Sequence, residues 1–67
     1  VKSIRTSPQR AAYRRALLAL ARRVLADRLS AGDIFWLNID PGRAARLSAG
    51  DRRILAADLR AVAGRIQ

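Results

Sequence analysis

The chain has no cysteine, histidine, methionine or glutamate among its 67 residues. Without cysteine or histidine there is no thiolate, no imidazole and no ligand set for zinc or haem, so no metal or cofactor is expected. A chain this short buries a modest fraction of its unfolded surface, and the usual props of small domains, disulfides and metals, are missing. Either its helices pack unusually well or a partner completes the core. Aromatic residues are down to Tyr13, Phe35 and Trp36. Arginine interrupts every apolar run, so no transmembrane helix is expected. The first residues lack the apolar centre of a signal peptide, and the expectation is a soluble cytoplasmic protein.

Negative charge is the other scarcity. Five aspartates stand against 14 basic residues, a formal net charge of +9. Such an imbalance points to an anionic partner. A codon bias toward arginine and alanine explains arginine in place of lysine, but not the shortage of acids. The carboxylates also argue against an enzyme. Asp33 and Asp51 stand three residues after a serine, in capping positions, and Asp40 precedes Pro41 as a cap, which leaves Asp27 and Asp58. Two separate carboxylates with no histidine, cysteine or nearby lysine make no acid and base pair. Gly32, Gly42, Gly50 and Gly64 are scattered, so there is no phosphate-cradling loop.

What is present is helical. Residues 1–67 read as one small domain whose first seven form a basic, flexible arm. Ser7 followed by Pro8 starts a helix that runs to about Asp27 or Arg28. Its apolar stripe is Tyr13, Leu17, Leu20 and Val24, widened by Leu18, Ala21 and Leu25. The hexapeptide Arg-Leu-Ser-Ala-Gly-Asp occurs at Arg28–Asp33 and again at Arg46–Asp51. In each copy the serine and aspartate make a capping box, with Leu29 and Leu47 placed as staples. The apolar segment around Phe35 and Trp36 reads as a helix of two turns, Ala31 to Asn38, with both aromatics in the core. Asp40-Pro41-Gly42 reads as a turn or single helical turn. The last helix is expected from Ala49 to about Arg65, burying Leu55, Leu59, Val62 and Ile66, with flanking alanines that admit a close neighbour. The fold class is all-α: a three- or four-helix module, two long helices with a short apolar one between them.

The arginines carry the functional signal. Arg15, Arg22 and Arg23, with Arg14 at the edge, fall opposite the apolar stripe of the first helix. Arg53 and Arg60 lie on the exposed side of the last helix, and Arg52 stands near its start, where a recognition helix meets base edges. A charged run is ordinarily a solvated face; the missing counter-charges raise the weight of phosphate contact. Three readings follow. The first is a nucleic-acid-binding module acting through arginine and phosphate, with a loose helix-turn-helix in its second half. The second is a basic subunit or inhibitor docking on a protein or nucleoprotein assembly, or on a second copy, which predicts apolar residues left exposed. The third is a cationic membrane-active peptide.

Overall fold

A computed structural model describes residues 7–66; of the arm expected over residues 1–7, residues 1–6 lie outside them and Ser7 is the cap of the first helix. Four helices follow one another: α1 (Pro8–Leu25), α2 (Ala31–Leu37), α3 (Pro41–Ala44) and α4 (Ala49–Gly64). No strand occurs among the described residues, and the all-α expectation holds.

The helix starts are those expected from the sequence. Ser7 caps α1 by accepting the Arg10 amide at 3.1 Å, with Pro8 at the first helical position. The two hexapeptide copies build the same device. Ser30 accepts the Asp33 amide while the Asp33 carboxylate accepts the Ser30 amide, and Ser48 and Asp51 repeat the exchange. Each box satisfies two amides that a helix start otherwise leaves unpaired. Asp40 caps α3 by accepting the Arg43 amide at 3.0 Å. A methyl at Gly42 would stand 3.1 Å from that Asp40 oxygen, so the glycine leaves the cap its room.

The helix ends differ from expectation by two or three residues in α1 and by one in α2, and the cause is the same in both. Asp27 and Asn38 adopt left-handed backbone, φ 57° and 58°. After Asp27, the Arg28 amide bonds the Arg23 carbonyl and the Asp27 amide bonds that of Val24. After Asn38, the Ile39 amide bonds the Ile34 carbonyl in the same six-residue closure. This is the Schellman stop, in which one left-handed residue turns the chain and satisfies the last carbonyls. Aspartate and asparagine tolerate that conformation better than other side-chain-bearing residues.

The core lies between α1 and α4. Leu17, Leu20, Ala21 and Val24 of α1 meet Ala56, Leu59 and Ala63 of α4, with Leu18, Leu29, Leu37, Leu55 and Ile66 packed around them. Alanine at the contact brings the α4 backbone close, as its flanking alanines suggested. The buried stripe of α4 is therefore Ala56, Leu59 and Ala63, turned from the expected leucine and valine line, and Val62 is 40 % exposed.

The short helix departs furthest from expectation. Neither aromatic of α2 is in the core: Phe35 is 87 % exposed and Trp36 is 52 % exposed. Tyr13 leaves the core stripe as well, 46 % exposed, with its ring centroid 6.2 Å from that of Trp36 and tilted 58° to it. A helix of seven residues has two turns with which to bury four consecutive apolar side chains. Leu37 packs against the core and Ile34 is partly buried, while Phe35 and Trp36 are carried outward by helical periodicity.

Candidate nucleic-acid interface

The α1 backbone directs its side chains by position. With Leu17, Leu20 and Val24 inward, Arg15 and Arg22 point nearly straight away from α4, seven residues and about 10 Å apart along the axis. Arg14 flanks them, and all three are exposed. Between Arg15 and Arg22 the helix carries Ala19 and the partly buried Leu18.

Arg23 belongs to a different structure. Its Nε and Nη2 donate to the two carboxylate oxygens of Asp33, each at 2.9 Å, in a bidentate pair. The guanidinium hydrogen bonds, and after them the Ser30 amide, hold the Asp33 carboxyl at about 2, below its ordinary 3.8, against the opposing effect of desolvation. The same hydrogen bond raises Arg23. This is the single ion pair among the described residues. Arg23 is thus a tether from α1 to α2, and its expected place on the free basic face is corrected. One carboxylate both caps α2 and anchors it. The sequence signal for the anchor was faint, since Arg23 and Asp33 are ten residues apart across a chain reversal.

On α4, Arg53 and Arg60 are exposed on one flank, seven residues apart. Arg52 is turned back: it is partly buried, and its Nη1 donates to the Leu47 carbonyl at 2.9 Å. Its first duty is to hold the chain entering α4, through the Leu47 carbonyl and not through the apolar staple expected of the Leu47 side chain. A helix-turn-helix is not formed between α2 and α4, because α3 and two connections separate them.

Between α1 and α2 lies a crevice of about 280 Å³, walled by Tyr13, Leu17, Leu20 and Trp36 and closed at one end by the Arg23–Asp33 pair. A second groove, about 440 Å³, runs along α4 beside α3. Among the described residues no group of three potential ligands is placed to hold a metal ion, and no helix is long and apolar enough to cross a membrane. No protein family, curated protein or solved structure matches the chain.

Proposed function

We propose that the protein is a small non-enzymatic nucleic-acid-binding module whose contacts are arginine to phosphate. The observation that carries this reading is the set of Arg14, Arg15, Arg22, Arg53 and Arg60. All five are exposed on the two rigid helices of the core, and none is in an ion pair within the described chain. Guanidinium groups fixed on helices and left without carboxylates favour an anionic backbone at little cost in ordering. Recognition is of charge and shape, since Arg52 is occupied and no helix-turn-helix presents side chains to base edges.

The test is a triple variant, Arg14→Gln, Arg15→Gln and Arg22→Gln, with Arg23 retained. Folding should survive, since the only expected loss is the interaction of Arg22 with the α1 C-terminus, under about 1 kcal/mol. The slope of log affinity against log salt should fall by roughly 0.9 for each lost contact to duplex DNA, and equally for unrelated sequences. An unchanged slope in a folded triple variant removes this face from the interface.

A second reading, docking on a larger protein assembly, is supported by the exposed Phe35, which packs against nothing in the core.

A further inference from the structure

The groove beside α3 and α4 goes beyond nucleic-acid binding, because its chemistry is opposite to that of the arginine surfaces. Its floor is Ile39, Leu47, Ile54 and Leu55, and Ile54 is 64 % exposed although it stands in the middle of an ordered helix. Its rim gathers three of the five aspartates, Asp40, Asp51 and Asp58, against one arginine, Arg43. In a chain where basic residues outnumber acids by 14 to five, that is a local inversion of charge.

The inversion is written into α4. Asp51 and Asp58 are seven residues apart and share a flank with Ile54; Arg53 and Arg60 each follow an aspartate by two residues, about 200° further round the helix. Acids and arginines are thereby segregated to opposite flanks. The capping bonds engage one oxygen each of Asp40 and Asp51, and Asp58 is in no hydrogen bond within the described chain. Carboxylate acceptors therefore remain along the rim. Two further arginines stand outside the groove lining: Arg46, whose guanidinium lies beside Gly42 near Asp40, and Arg65, seven residues beyond Asp58.

We infer that this groove seats the apolar face of a cationic amphipathic helix from another protein, with its lysines or arginines meeting Asp40, Asp51 and Asp58. An open groove with an apolar floor beside a helix is suited to anchors repeating at three and four residues. An acidic rim selects against the anionic helices that the rest of the surface attracts. A second copy of the chain is a poor occupant. Its outward α1 stripe is Arg15, Ala19 and Arg22, and its exposed Phe35 and Trp36 stand on a helix of seven residues, too short to lay anchors along the groove.

The probe is a fluorescent amphipathic peptide with leucine on one face and lysine on the other, compared with its leucine and glutamate counterpart, against the full chain at physiological salt. The lysine peptide should bind, at least tenfold more weakly to Ile54→Arg and about threefold more weakly to Asp58→Asn. Arg15→Gln should leave its affinity unchanged. Ile54→Ser is the milder check, and because Ile54 lies outside the core both variants should keep the parent's circular dichroism. Nucleic-acid affinity should not respond to Ile54→Ser, which separates failure of this inference from failure of the arginine reading. Indifference of the lysine peptide to both Ile54 variants would overturn the proposal. So would a glutamate peptide that proves the one sensitive to them, or a homodimer that Ile54→Arg dissolves.

Discussion

At the scale of single residues, burial separates side chains that hold the fold from those available to a partner. Leu20 is buried at the contact between α1 and α4, so Leu20→Ala should cost about 3 kcal/mol, a large part of the stability of so small a domain. Phe35 is the larger side chain but is mostly in water, and Phe35→Ser should change stability by no more than about 0.5 kcal/mol. Urea unfolding followed by circular dichroism distinguishes the two. A loss at Phe35 comparable to that at Leu20 would mean that α2 packs more deeply than its exposure indicates. Asp27 is expected to act in the other direction. It holds a left-handed conformation that glycine adopts freely, and it places a negative charge against the C-terminus of α1. Asp27→Gly should therefore stabilise by about 0.5 to 1 kcal/mol, read in the same unfolding curves.

At the scale of elements, α2 is the weak member, joined to α1 by the Arg23–Asp33 pair and the Tyr13–Trp36 contact. The pH dependence follows from Asp33. Its folded value, about 2, is depressed from the ordinary 3.8, so its contribution is fully present above about pH 3.8 and is lost as pH falls through 2. Protonation removes both the tether and half of a capping box, and Trp36 emission should shift across that window. Asp33→Asn should show the altered emission already at neutral pH and lose the acid step. The same element shows where reading from sequence reached its limit. Caps are local, so Ser7, Ser30, Asp40 and Ser48 were legible, as were the two long helices. The Schellman stops at Asp27 and Asn38 lacked the glycine that announces them. The hydrophobicity of Phe35 and Trp36 implied burial, but a seven-residue helix beside an alanine-lined contact has no room to bury both. Arg23 looked free because its partner is brought to it by the chain reversal after Leu25.

At the scale of the whole molecule, charge and stability are linked through one number, the net +9. Confined to a small domain with a core half built from alanine, that charge opposes the compact state by self-repulsion. Added chloride screens the repulsion, since the Debye length falls from about 10 Å at 0.1 M to about 3 Å at 1 M, and the melting temperature of the free protein should rise with salt. On the proposed reading, a bound nucleic acid would relieve the same repulsion. At a free concentration near one hundred times Kd it adds about 2.7 kcal/mol. In a domain of this size that corresponds to a rise of roughly 10 to 20 °C in Tm. Salt then acts in opposite senses: it stabilises the free protein and weakens the arginine and phosphate contacts, so the increment given by nucleic acid should shrink as salt increases. Thermal melts of the parent and of the Arg14, Arg15 and Arg22 triple glutamine variant, each with and without duplex DNA at two salt concentrations, resolve the two effects. The variant should gain less from DNA than the parent does at low salt. A DNA increment that is independent of salt, or undiminished in the variant, would show that the stabilisation does not come through these arginines.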